Sequence, residues 1–532
     1  MKGYFKSDGT YFEKNGIEND ISVNSIYCAQ NFDNFLLQKT INKALEHETF
    51  EVLSEITLPF KASIYIKNTK TLYLITDIYG YSDIYYKKSE ENIYFSDSYK
   101  YLIEKTEKKV DKKNIAHFLK YGFVSDYKTI FDKIYKLPPG HILKVTSESF
   151  ELINYFNFES EISENYCAES NQLKALLNQS INNLNLSKNP ILFYSGGIDS
   201  SAILVSLAEN GFKPEIFSLK FDEEKYNENN YRDSLLKKLG FKNNEITMTA
   251  KNYSDTLKEI INHNQITQLT QDVASFKFLC DKADLKGQSI IFGLPGDECF
   301  FGYKYMIEPY IDMDFYFKYR KNILEKINFG GITEILTNEI LEKLQNLWNY
   351  IPSYLNNNEI KELINYELKT ESENTLNLTE CKNLFDVKKE IQKFQFNIML
   401  PCNQFNRLNT IEKLTENNIL LPFMNREIYK YALSLPFEYC YNQNKEKWIL
   451  YQAFKKDITE EIFQKSKQGF KIPIKNWLST PDFDFIKKQL IQQSHDKNSE
   501  FSINPDYIKT LYNPLTEQSA YKLWYILGVS TF

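Results

Sequence analysis

The sequence predicts an α/β protein in two parts: a β-rich first domain, then a domain built on a parallel sheet with a helical C-terminal part. Three observations predict it. Residues 60–155 carry short apolar runs, alternating or continuous, broken by turn residues, which is the pattern of strands. Between residues 191 and 239 strand-like and helix-like segments alternate, which implies parallel strands covered by helices, with a ligand at the carboxyl ends of the strands. From residue 310 the text is polar and helix-like, without repeats. At about 150 residues per domain the chain has room for roughly two to four domains, and the polar stretch at 159–171 separates residues 1–160 from residues 170–532.

Taken in order, 62–66, 71–75 and 93–95 read as strands of the first domain. The string LPPGH at 137–141 reads as a rigid surface turn feeding a strand at 142–145, because two prolines fix the backbone and glycine permits the reversal. In the second domain strands are expected at 191–194, 215–221 and 289–292, and helices at 202–210 and 230–239. The charge-rich portion 356–382 reads as a solvated helical face, with a mobile excursion as the alternative.

The strand at 191–194 runs directly into Ser195, Gly196, Gly197, Ile198, Asp199, Ser200 and Ser201, and these open the helix that follows. Two glycines let the backbone approach an anion, successive N–H groups point into the concavity, and the helix start adds the positive end of its dipole. Ser195, Ser200 and Ser201 offer hydroxyls to phosphate oxygens, and Asp199 offers a carboxylate to the magnesium that accompanies them. A serine-rich turn capping a helix is the competing reading of a bare SGG. The full string after a buried strand points instead to a loop that holds the pyrophosphate part of ATP. The strand at 289–292 ends in GLPGDE, which places Asp297 and Glu298 at the same sheet edge. Asp297 and Asp199 can there share one magnesium ion, or the acidic pair simply complements a helix dipole.

Composition removes other classes. A net charge of -6 argues against nucleic-acid binding driven by bulk electrostatics. The chain has no apolar run of about 18 residues and its start is polar, so a cytoplasmic protein with no membrane segment is expected. Seven cysteines without close pairs read as reduced thiols, and the five histidines are isolated and read as structural.

Five blocks together resemble the asparagine synthetase family, whose relatives include β-lactam synthetases and lasso peptide cyclases. They are SGGIDSS at 195–201, GDECFFGY at 296–303, LPFMNREIYKYALSLP at 421–436, KWILYQAF at 447–454 and KSKQGFKIP at 465–473. In the first domain TDIYGYSDIYY at 76–86, FSDSYKYL at 95–102 and KLPPGHIL at 136–143 are similar to that family's amidotransferase domain. The resemblance implies an Ntn-hydrolase-like first domain and, in the second, an ATP-pyrophosphatase fold of the adenine nucleotide α-hydrolase kind. It implies that a carboxylate attacks the α-phosphate of ATP, giving an acyl-adenylate and pyrophosphate, and that an amine then attacks the activated carbonyl. By position within the motifs, backbone at Phe193, Leu219, Phe292 and Gly293 would line the adenine and ribose, with Asp199 and Asp297 on magnesium. Lys467 matches the family's lysine in its RPKxGF block and would neutralise charge at the α-phosphate and the leaving pyrophosphate. Lys447 matches a second family lysine and is a further phosphate-binding candidate, although any lone lysine defaults to the solvated surface.

Two departures shape the expected function. Glutamine-dependent members carry a cysteine directly after the initiator methionine; here that position is Lys2, Cys28 lies inside the chain, and the glutamine-clamping segment is unrecognisable before Thr76. The first domain is therefore expected not to hydrolyse glutamine, and to act as a scaffold or as a surface presenting a substrate or partner protein. The family's glutamate or tyrosine in its SGEGxDE block is replaced by Leu294, which suits a larger carboxylate or a peptide better than aspartate. Tyr303 either contacts substrate or belongs to the core. The expected function is a pyrophosphate- and AMP-forming amide ligase using ATP and Mg2+ on a carboxylate and an amine, as in macrolactam formation on a precursor peptide, with a protease or other biosynthetic protein as partner. The alternatives are an ammonia-dependent asparagine synthetase-like enzyme and, from another class, a nucleotide-binding scaffold.

Overall fold

Ten strands before residue 155 pair into two antiparallel five-stranded sheets in a computed structural model that describes residues 2–6, 11–13, 21–28, 34–89, 92–106, 109–158, 170–227, 229–262, 269–324, 340–369, 376–464, 471–495 and 502–530. In chain order they are β1 (Lys2–Lys6), β2 (Tyr11–Glu13), β3 (Ile21–Cys28), β4 (Phe60–Ile66), β5 (Thr71–Thr76), β6 (Tyr85–Lys88), β7 (Asn92–Ser96), β8 (Tyr135–Lys136), β9 (His141–Val145) and β10 (Phe150–Asn154). One sheet runs β2-β1-β7-β6-β8 and the other β10-β9-β5-β4-β3. β5 is buried on both faces, which is why its sequence is a continuous apolar run rather than an alternation. Leu72 and Leu74 meet Phe95 and Leu143 between the sheets, while Tyr73 and Ile75 join the main core with the helix Asn34–His47.

The second domain holds a parallel sheet in the order β13-β12-β11-β14-β15, made of β11 (Ile191–Phe193), β12 (Glu215–Phe221), β13 (Asn243–Met248), β14 (Ser289–Ile291) and β15 (Asn418–Leu420). Its centre is dry: Ile191, Leu192, Phe193, Ile290 and Ile291 are all buried. The chain builds outward from β11 to β12 and β13 on one side, then returns to add β14 and β15 on the other. Connections leaving β11 and β14 therefore diverge, and a crevice opens beyond the carboxyl ends of these two strands. SGGIDSS follows one strand and GLPGDE follows the other.

Two expectations need correction. The LPPGH turn is not on the surface. Gly140 is buried at φ +63°, Thr76 Oγ1 donates to the Pro138 carbonyl at 2.6 Å, and a Cβ on Gly80 would lie 2.6 Å from Pro139 Cγ and 3.0 Å from Pro401 Cβ. The turn is wedged between the domains. The charge-rich portion 356–382 contains a docked amphipathic helix, Asn357–Ile364, started by an Asn356/Glu359 capping box and burying Ile360, Leu363 and Ile364. Nearby, the Tyr354 amide donates to the Lys120 carbonyl of the first domain at 2.7 Å. Residues 370–375, like the domain junction at 159–169, lie outside the described residues.

The domains are joined by buried charge. Lys136 Nζ pairs with Asp83 at 2.6 Å and donates to the Pro401 carbonyl at 2.6 Å and to Asn406 Oδ1 at 2.9 Å. Lys413 of the second domain lies 3.6 Å from Asp83 and donates to the Asp97 carbonyl at 2.8 Å, while Lys61 pairs with Asp97 at 3.0 Å. Burial alone would raise the Asp83 carboxyl; Lys136 and Lys413 overcome it and hold the group below its ordinary range. Among the described residues no helix is long and apolar enough to cross a membrane, and Cys280, Cys299, Cys381, Cys402 and Cys440 are free thiols.

Candidate active site

The loop after β11 has the shape its glycines dictate. Gly196 adopts φ +77° and presses on Arg232, so that a Cβ there would lie 2.2 Å from Arg232 Cγ. Arg232 is itself fixed by Glu245 at 2.8 Å and by the Leu219 carbonyl at 3.3 Å. Ser195 Oγ accepts from the Gly197 amide at 3.2 Å and sits 3.2 Å from Ser200 Oγ, which donates to the Gly197 carbonyl at 3.1 Å. Ser201 is fully buried and its hydroxyl shares a hydrogen bond with the Tyr194 hydroxyl at 3.1 Å, so it faces the core beneath the loop. The helix Ile198–Glu209 has Gly197 at its N-cap and no side-chain cap, which leaves its first amides to an anion.

Lys447 is the centre of the site. Its Nζ is gripped by Asp199 Oδ2 and lies 2.6 Å from Asp297 Oδ1, with a side chain only 4% exposed. Burial would lower its pKa; the two carboxylates overcome that and hold the ammonium above its ordinary range, so it stays charged. The arrangement needs glycine at two places. A Cβ on Gly296 would lie 2.4 Å from Asp199 Oδ1, and one on Gly302 would lie 2.0 Å from Asp297 Oδ1 and 2.4 Å from Lys447 Cε. Lys447 has φ 52° and stands at the start of the helix Trp448–Phe454, just after a hairpin formed by Tyr441–Asn442 and Lys445–Glu446. Glu298, next to Asp297, points the other way: it is fully buried and accepts from the Tyr303 hydroxyl at 3.2 Å. Tyr303 stacks on Tyr305, and that ring pair forms part of the packing behind the acidic helix Gly296–Cys299.

The loop and the Asp199–Lys447–Asp297 cluster line a cleft of about 1290 Å³. Phe193, Leu219, Phe292 and Gly293 line it, together with Ser195, Gly197, Asp199, Ser200, Asp297 and Lys447. Phe193, Phe276 and Phe292 form one aromatic wall, with ring centroids 5.0 to 5.8 Å apart. The lining also includes Leu294 and one face of the helix Lys304–Leu324, namely Lys304, Ile307, Glu308 and Ile311, at the i, i+3, i+4, i+7 spacing of a single helical stripe. Ile311 is 47% exposed there. Lys467 lies outside the described residues; Gln464 and Lys471, the described residues flanking its segment, both line the cleft.

Arg232, Phe276 and the 304–311 stripe were not singled out from the sequence. The stripe had a signal, since it begins directly after GDECFFGY and repeats at helical spacing; Arg232 and Phe276 had none, because they reach the loop only through the fold. For magnesium the fit is partial. Asp199 and Asp297 converge on one small cation and offer the hard oxygens that ion takes. Among the described residues no group of three or more metal-ligating side chains exists, so an ion held by these two carboxylates would take further ligands from phosphate or water.

Residues 172–532 match the family model described as asparagine synthase, and residues 39–156 match that of a glutamine amidotransferase domain. The chain is 23% identical over 518 aligned positions to asparagine synthetase [glutamine-hydrolyzing] 1 of Bacillus subtilis, covering 90% of this chain and 78% of that protein. It is 20% identical over 433 positions to asparagine synthetase [glutamine-hydrolyzing] 3 of the same organism, covering 77% of this chain and 66% of the relative.

Proposed function

Because the chain belongs to the asparagine synthase family, we propose that it is an ATP-dependent amide ligase that adenylates a carboxylate, releases pyrophosphate and passes the acyl group to an amine. The observation that carries the reading is the convergence of Asp199, Asp297 and Lys447 beside the uncapped helix start at the carboxyl ends of β11 and β14. The cleft exceeds the roughly 300–1,000 Å³ of a usual small-molecule site, which leaves room for a nucleotide and a second substrate together.

In this reading the loop amides and the hydroxyls of Ser195 and Ser200 hold the β- and γ-phosphates, and the aromatic wall receives the base. Asp199 and Asp297 hold Mg2+, which when bound draws charge from the phosphate oxygens. A carboxylate oxygen attacks the α-phosphorus as the bond to the pyrophosphate oxygen breaks. Lys447, and Lys467 as the resemblance assigns it, neutralise the charge that leaves with pyrophosphate. Lys467→Ala is expected to slow pyrophosphate release about a hundredfold or more, the scale of one strong transition-state contact.

The acyl donor is bulkier and more apolar than aspartate, a peptide carboxylate closed onto an amine of the same molecule being the form that suits the site. Leu294, Ile307 and Ile311 support this, since they face the cleft where a small polar substrate would need polar partners. Cys28, the single cysteine among residues 1–160, has a peptide nitrogen inside β3, opposite Phe60, so it has no free amine to activate its own thiol, and in this reading the amine belongs to the substrate. The test is nucleotide product analysis with a panel of peptide carboxylates and with aspartate plus ammonium. AMP and pyrophosphate formed only with peptides support the reading; asparagine formation overturns the assignment of the donor.

A further inference from the structure

The ammonium of Lys447 occupies the place between Asp199 and Asp297 that a shared divalent ion must take. We infer that Lys447 is a stand-in cation: it holds the two carboxylates together and shuts out free divalent ions, so that the metal enters only with the nucleotide. This rests on the assignment of Asp199 and Asp297 to the metal. Three observations carry it. Both carboxylates contact the same Nζ, so an ion bridging them and the ammonium compete for the same oxygens. The cluster is tightly packed on its glycine side, because even a methyl group on Gly302 would meet both Asp297 and Lys447, and one on Gly296 would meet Asp199, so the three groups are held in contact. No third metal-ligating side chain joins the pair among the described residues, so a free ion has little to gain by displacing an ammonium, whereas an ion carried by ATP brings phosphate ligands of its own.

The nucleotide supplies the other half of the exchange. Its phosphates give Lys447 a new anionic partner at the same cleft, so the ammonium turns from carboxylate to phosphate as the metal takes its place. Before binding, the ammonium offsets one of the pair's two negative charges, and the entering divalent ion offsets both, so the phosphate loop is never left beside two bare carboxylates that would repel ATP.

The test is titration of Mn2+ into the full-length protein, followed by the electron paramagnetic resonance signal of the free ion. Wild type alone is expected to bind at least tenfold more weakly than wild type with α,β-methylene-ATP. Lys447→Met, or Lys447→Gln should the first variant fail to fold, is expected to bind Mn2+ without nucleotide at least tenfold more tightly than wild type does, and Asp199→Asn is expected to remove that binding. Equal nucleotide-free affinity in wild type and a folded Lys447 variant overturns the inference, as does a folded variant that binds no Mn2+ by itself. If α,β-methylene-ATP binds yet Mn2+ is held in neither state, the metal assignment falls and the inference falls with it, while the nucleotide site stands.

Discussion

The domain junction and the cleft both bury lysines against aspartates, and the difference between them lies in the balance of charge. At the junction Lys61, Lys136 and Lys413 surround Asp83 and Asp97, and Lys136 adds two neutral oxygen partners across the boundary. Each carboxylate there has a cation, and nothing in the arrangement calls for a ligand. In the cleft two aspartates share Lys447 and face an open cavity beside an uncapped helix start. One arrangement is cohesive; the other opens on a cleft where, in the reading proposed above, an anionic nucleotide with its metal would add to it. Buried charge pairs alone do not mark a site. Their placement at a strand end, next to a helix start that no side chain caps, is what sets this pair apart.

Breaking the junction arrangement is expected to have the largest effect. Lys136→Met leaves buried Asp83 with Lys413, at 3.6 Å, in place of its 2.6 Å partner, and removal of one partner of a buried pair costs about 3–5 kcal/mol. Denaturant unfolding should show a loss of that size, while pyrophosphate release per folded molecule stays within about twofold. A loss below ~1 kcal/mol would mean that the junction is not held by charge. Breaking the cleft arrangement should do the reverse: Asp297→Asn is expected to slow pyrophosphate release by about 10²–10³, with thermal stability unchanged or raised, as strained sites usually trade stability for activity. Gly302→Ala sharpens the contrast because it keeps every ionisable group. Its methyl would meet Asp297 Oδ1 at 2.0 Å and Lys447 Cε at 2.4 Å, so the cluster must open. A tenfold to hundredfold loss of activity is expected, on the order of 1–3 kcal/mol of barrier; full activity would show that the geometry of the cluster does not matter.

The smallest effect concerns Glu412, whose carboxylate accepts from the Ile419 amide at 2.7 Å. Burial pushes it up from an ordinary 4.5 to about 7. The folded state then binds a proton more readily than the unfolded chain, so this group's contribution to stability falls as pH rises from 4.5 through about 7 and is level above. Glu412→Gln should flatten that slope and raise stability at pH 8 on the order of 1 kcal/mol. Stability curves that superimpose between pH 5 and 8 would refute it.

Much of the second domain was legible because two of its core strands are short apolar runs that lead into glycine-containing loops: 191–194 and 289–292 announced both the sheet and the two loops that face the cleft. β15 was not, because its three residues carry no periodicity and are recognisable only by pairing with β14. The antiparallel strands after residue 60 were legible, whereas the helix Asn34–His47 went unnoticed before them. In the site, Asp199 and Asp297 were found by motif. Lys447 came second to Lys467 on the sequence, and only the fold, which carries the hairpin 441–446 across the cleft, sets it between the two aspartates. The LPPGH turn misled for a simple reason: proline and glycine fix a turn's shape, and nothing in them says what covers it.

The central claim, that this cluster serves cleavage of ATP between its α- and β-phosphates, is most directly tested with [α-32P]ATP, magnesium and a panel of peptide carboxylates. Labelled AMP, formed only when a carboxylate is present and lost in Asp297→Asn, is the expected result. Labelled ADP as the product, or AMP formation that persists undiminished in Asp297→Asn, would contradict it.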